Sequence, residues 1–231
     1  MEKLQLKLND FCRQFPYQWE SQKYLWKSVR TFQNNWDLEA DDLAGMIDMA
    51  TVDADYLLFH EPYYCPRKMI IGLAKRDAQE VRVMFKDLFD ERRDLIERSR
   101  KFNQRADELR KKYKGHPFDR NYQYMNAVST YLWLRYPEKY YFYKHRVASK
   151  VSQKTGIAYA SQRDPVENKM VSNFALLDQV STALRGDDRF REMLNARLDE
   201  TMYPDNQMHC MAMAFAFFLR SCYEGSKNGI K

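Results

Sequence analysis

The sequence predicts an all-α protein, an irregular multi-helix bundle with two closely packed lobes. Of its 231 residues, 45% are hydrophobic and 15% aromatic, too apolar a composition for a disordered chain. Only seven Gly and seven Pro punctuate it, few for a protein built from hairpins. Apolar residues recur every three or four positions along most of its length, the spacing that lines one face of a helix.

Trp19, Trp26, Val29, Phe32 and Trp36 predict a first helix. The acidic run from Asp37 supplies the cap of a second, through Leu43, Met46, Ile47 and Ala50, expected to pack antiparallel to the first. Residues Tyr56 to Pro66, with Pro62, read as an ordered aromatic loop, and Pro66 then opens a short helix bearing Met69, Ile70, Leu73 and Ala74. Asp77 with Glu80 matches a capping box ahead of Val81, Phe85, Leu88 and Phe89. Between Glu91 and Lys114 a narrow stripe of Leu95, Phe102, Ala106, Leu109 and Tyr113 predicts the longest helix, largely exposed and stopped by Gly115-His116-Pro117. A helix over 121–135 ends ahead of Pro137, which opens a brief helical turn, and another over 145–154 stops at Gly156.

The polar connection from Ile157 to Arg163 marks the expected boundary between a lobe at 1–157 and a smaller one at 158–231. Asp164-Pro165-Val166-Glu167 combines a cap, an early proline and a capping-box acid, and predicts a helix carrying Met170, Phe174, Leu177, Val180 and Leu184. Gly186-Asp187 separates it from a shorter helix with Phe190, Met193, Leu194 and Leu198. Pro204-Asp205 begins the last element. There Met211, Met213, Phe215, Phe217 and Leu219 alternate with alanines in the two-residue period of a strand, but alanine richness favours a buried helix.

The chemistry is bounded mainly by exclusions. A formal charge of +6 and a pI near 9.0 permit a nucleic-acid partner without requiring one. Four scattered cysteines without a C-x-x-C pair, and a Met-Glu-Lys start without an apolar signal core, point to a reducing cytoplasm. The longest apolar run, Met211 to Leu219, falls well short of the ~20 residues needed to cross a bilayer. Neither G-x-x-x-x-G-K-[ST] nor G-x-G-x-x-G occurs, so no nucleotide hydrolysis and no cofactor are expected. His60 with Cys65, and His209 with Cys210, offer two donors each where structural zinc needs four, so no metal is expected. Arg98, Arg105 and Lys112 fall on one helical stripe that reads as a solvated face diluted by neighbouring acids. Asp41-Asp42 and Asp187-Asp188 sit where helices start.

The most distinctive stretch is Tyr131 to Arg146, aromatic residues broken by cations. Rings beside cations suit stacking on bases and contact with phosphates. Arg135, Lys139, Lys144 and Arg146 are close enough in sequence for one positive patch, with Tyr140, Tyr141 and Tyr143 offering rings. These residues, less Tyr143, are the candidate nucleic-acid or partner-binding set. The same rings could line a corner between helices instead, with their hydroxyls paired. No catalytic residue is expected.

Two resemblances bear on function. Arg110 and His116 resemble the arginine–histidine spacing of HEPN-type ribonucleases, although this pair straddles the Gly115 break. Trp26-Lys-Ser-Val-Arg-Thr-Phe-Gln-Asn-Asn-Trp36-Asp37, Pro66-Arg-Lys-Met-Ile70, Val81 to Glu91, and Ser129-Thr-Tyr-Leu-Trp-Leu-Arg-Tyr-Pro-Glu-Lys-Tyr140 together resemble the helical N-terminal region of McrB-like AAA+ NTPases of modification-dependent restriction systems. That resemblance covers most of residues 17 to 205. It implies a bacterial recognition module working with an AAA+ motor outside this chain and a separate nuclease subunit. The expectation is therefore a non-catalytic module contacting DNA. The alternatives are a protein-interaction or oligomerisation module without nucleic-acid affinity, and a small ribonuclease.

Overall fold

In a computed structural model, residues 2–59 and 63–221 are described. Every regular element among them is helical. Pro62, expected in the aromatic loop, His60 of one candidate metal pair, and Cys222 lie outside the described residues.

Leu4, Leu8, Phe11, Phe15 and Trp19 repeat at helical spacing and are all buried on one stripe of α1 (Glu2–Gln22). Burial of that stripe sustains the helix through Pro16. The first helix expected from sequence was one rod from Trp19 to Trp36. The structure divides it at Lys23, so Trp19 closes α1 while Trp26, Val29 and Phe32 belong to α2 (Tyr24–Asn35). Asp42 caps α3 (Leu43–Thr51), accepting from the Gly45 amide at 2.9 Å, and α3 packs on α2. A single 3-10 turn (Val52–Ala54) and α4 (Asp55–Leu58) follow.

Pro66 takes the first-turn position of α5 (Pro66–Ala74), where its missing N–H removes no helical bond. Asp77 caps α6 (Ala78–Leu88) through the Glu80 amide at 3.2 Å. The stripe expected to form the longest helix forms α7 (Leu95–Arg110), shorter than α1, because Asp94 caps it from the Glu97 amide and the chain turns at Lys111. Its charged face is not solvated throughout. Arg98 is 2% exposed, Arg105 pairs with Asp87, and Lys112 faces Asp77.

Next come α8 (Met125–Arg135) and α9 (His145–Thr155), the latter closed by Gly156 at φ 78°, a conformation glycine adopts without steric cost. The segment at Pro137 is a hydrogen-bonded turn, with the Lys139 and Tyr140 amides both donating to the Tyr136 carbonyl. In α10 (Val166–Arg185) Asp164 does not act as the cap. Its carboxylate accepts from the Ser161 amide at 2.7 Å and closes the preceding turn, leaving Pro165 as N-cap. Asp187 caps α11 (Asp188–Asn195).

The last element is the helix α12 (His209–Ser221), starting later than Pro204-Asp205 suggested. Asp205 and Met208 take positive φ values of 49° and 58° in the preceding loop. The Asp205 carboxylate, 1% exposed, reaches forward to the Cys210 and Met211 amides at 3.1 and 3.0 Å. It also accepts from the Trp26 indole at 3.2 Å. One continuous apolar core runs from Leu4 to Leu219. Phe11 of α1 lies 6.0 Å from Phe190 of α11 and 5.5 Å from Phe215 of α12, so the two ends of the chain share that core.

Candidate nucleic-acid interface

Residues 131–146 divide between two places. The first is a packed corner. Tyr140 is buried; its hydroxyl donates to Glu91 and receives Arg98, while Lys139 closes on the other Glu91 oxygen. Burial pushes the Glu91 carboxyl up, but hydrogen bonds from Lys139, Tyr140 and Arg98 outweigh it and hold the group below its ordinary value. Tyr141 is also buried, with its hydroxyl donating to Asp178 at 2.9 Å and its ring stacked 4.2 Å from His209. Tyr143 is buried as well. Arg135 lies over the Tyr136 ring, and Gln33 of α2 donates to the Leu134 and Arg135 carbonyls at the end of α8.

The expected single positive patch therefore does not form. Arg135 and Lys139 border a hollow of about 380 Å³ with Glu138 and Tyr203, and Lys139 is neutralised by Glu91. Tyr140 and Tyr141 are committed to packing and present no ring face to a ligand.

The second place is a cleft of about 700 Å³ where Lys144 and Arg146 meet Arg220 from the end of α12. Tyr56, Phe59 and Asn126 also line it. Among the described residues no Asp or Glu lines this cleft, and none of the three cations has a carboxylate partner. Lys144 projects over the Phe217 and Phe142 rings, with its ammonium 5.6 and 6.0 Å from their centroids. Burial there, with Arg220 nearby, pulls its pKa down to about 8. As N-cap of α9, Lys144 offers no side-chain acceptor, so the positive end of the helix dipole faces the same region. Three cations beside a helix start, without a carboxylate partner among the described residues, have the charge and geometry that suit an anion.

Of the residues lining this cleft, the sequence singled out Lys144 and Arg146 and not Arg220, Tyr56 or Phe59. Arg220 directly follows an apolar run whose pattern speaks only of core. The aromatic density from Tyr56 onward was the available signal for the rings, and Tyr56 is 79% exposed.

The remaining candidates have local roles. Arg110 pairs with Asp107 and donates to the Phe118 carbonyl at 3.1 Å, tying the end of α7 to the following loop. His116 lies 3.8 Å from Asp119. His209 is buried against Tyr141, which lowers its pKa to about 4, and no metal-holding group of three or more His, Cys, Asp or Glu occurs among the described residues. Among the described residues Cys12 and Cys210 are free thiols, and Cys65 is buried. Among the described residues no helix is long and apolar enough to cross a membrane.

Comparison with known proteins finds no matching family model, no matching curated sequence and no matching solved structure.

Proposed function

We propose that this chain is a non-catalytic recognition module that grips nucleic acid through the Lys144–Arg146–Arg220 cleft. The observation that carries the reading is the absence of any carboxylate partner for these cations among the described residues, where most other clustered cations are paired. An unpaired lysine held against aromatic rings is costly to the fold, and a bound phosphate would neutralise it. The restriction-system setting rests on the sequence resemblance alone.

Fluorescence anisotropy with labelled single- and double-stranded oligonucleotides tests the reading. Three phosphate contacts predict a log–log salt slope near −2 for single strands and slightly steeper for duplex. The Arg146→Glu/Arg220→Glu double variant should bind roughly tenfold weaker or worse. Absence of binding at low salt, or equal binding by the double variant, would remove the proposal.

A second reading, a protein-assembly module, is favoured by one feature. Leu4, Ile157, Ala158 and Ala183 help line a groove of about 700 Å³ on another part of the surface. A salt-insensitive oligomer without nucleic-acid affinity, measured by light scattering, is its expected signature.

A further inference from the structure

The cationic cleft is not isolated. It shares Tyr56 and Arg220 with a hollow of about 450 Å³ bounded by Gln18, Ser21 and Gln22 at the end of α1. It shares Phe59 with a third depression, of about 470 Å³, along α5, which contains Lys75, Arg76 and His116. The three are therefore neighbours, with the exposed rings of Tyr56 and Phe59 in their shared walls. Among the described residues lining the α5 depression the one carboxylate, Asp48, is already held by Arg67. Lys75 is exposed, and the Arg76 guanidinium lies 4.6 Å above the Phe118 ring.

Resting on the proposed function, we infer that the ligand is single-stranded nucleic acid, laid along this furrow with phosphates toward Lys144, Arg146, Arg220 and Lys75 and bases against Tyr56 and Phe59. The rings decide between single strand and duplex. Tyr56 and Phe59 stand in the walls of a concavity, 79% and 36% exposed, where they can stack only on a base whose face is free. A duplex covers both faces of every internal base, and its groove is usually read by a protruding element. An unpaired strand offers one face per nucleotide, and stacking on aromatic side chains is tolerant of sequence. Cations and exposed rings occur together both in the cleft and in the α5 depression, the two groups that a single strand's phosphates and bases require.

The test uses the full chain with oligothymidylates of about 4 and about 12 nucleotides, bracketing the common site sizes, and a duplex of the longer length. The expected results are tighter binding of the long single strand than of the duplex, and a loss of about tenfold for Tyr56→Ala on single strands. Lys75→Glu should weaken the long strand and leave the short one unchanged, since the short strand fills only the central cleft. Far-ultraviolet circular dichroism confirms that both variants fold. Duplex bound as tightly as single strand overturns this inference while leaving nucleic-acid recognition standing. Equal effects of Lys75→Glu at both lengths, or none at either, overturn the furrow path. No binding of any oligonucleotide removes both proposals.

Discussion

Lys144 is where stability and the proposed function pull in opposite directions. Its pKa of about 8 against an ordinary 10.5 means that, between those values, the unfolded chain holds a proton the folded chain does not. Stability contributed by this group therefore rises with pH across that window, and below about pH 8 the folded protein carries an unfavourable charge. Replacing it by methionine keeps the stem's contacts with Phe142 and Phe217 and removes the charge. Lys144→Met should stabilise the protein at pH 7 by about 1 kcal/mol, roughly 2–4 °C in Tm for a chain of this size. The advantage should shrink above pH 8, and oligonucleotide affinity should fall. Scanning calorimetry at pH 7 and 9 beside anisotropy reads both effects, and a destabilised variant would show that Lys144 serves the fold. Lysine at position 144 was visible in the sequence as a cation among aromatics; its isolation from acids was not, because that depends on which residues α12 and the α4 region bring beside it.

At the scale of elements, most helices were legible because their starts are local chemistry. Asp42, Asp77, Asp94 and Asp187 each accept from an amide in the first turn that follows. Where a competing local bond was equally available the reading failed, as at Asp164, which turns back to Ser161. Arg98 shows the larger gap. Its stripe position on α7 suggested solvent, yet it donates to the Leu88 carbonyl, Glu91 and the Tyr140 hydroxyl, joining the end of α6, the loop after it and the corner before α9. No helical-wheel argument supplies those partners, since all three come from outside α7. Arg98→Met should destabilise by about 1–3 kcal/mol, because it removes the buried donor to the Leu88 carbonyl and the Tyr140 hydroxyl and leaves the partly exposed Glu91 carboxylate to Lys139 and Tyr140. Adding Glu91→Gln should recover part of that loss, giving a coupling energy of about 1 kcal/mol or more in a urea-denaturation double-mutant cycle. Strict additivity would mean that Arg98 stabilises through its packed stem alone.

For the whole molecule, the sequence suggested lobes at 1–157 and 158–231 on the strength of one polar connection, a signal that reports a surface loop but not what packs on either side of it. The contacts across that connection are extensive. Helix α9 packs against α10 and α12; α10 also packs against α7 and α8; and Trp26 of α2 is hydrogen-bonded to Asp205. Tyr141, which precedes the boundary, has both its hydroxyl partners, Asp178 and Ser181, and its stacking partner, His209, beyond it. With α9, α10 and α12 packed across the connection, the full chain should melt in one cooperative transition with matching calorimetric and van't Hoff enthalpies. A fragment of residues 1–157 should keep helical circular dichroism while losing near-ultraviolet signals from its buried tyrosines and tryptophans, because Phe11, Tyr141 and helix α9 lose packing partners when α10, α11 and α12 are removed. It should also lose oligonucleotide binding in excess of what Arg220 alone contributes, since α9, which carries Arg146 and follows Lys144, rests on α10 and α12. A fragment with native near-ultraviolet spectra and a sharp melt of its own would establish two independently folding lobes and confine the shared core to a docking surface between them.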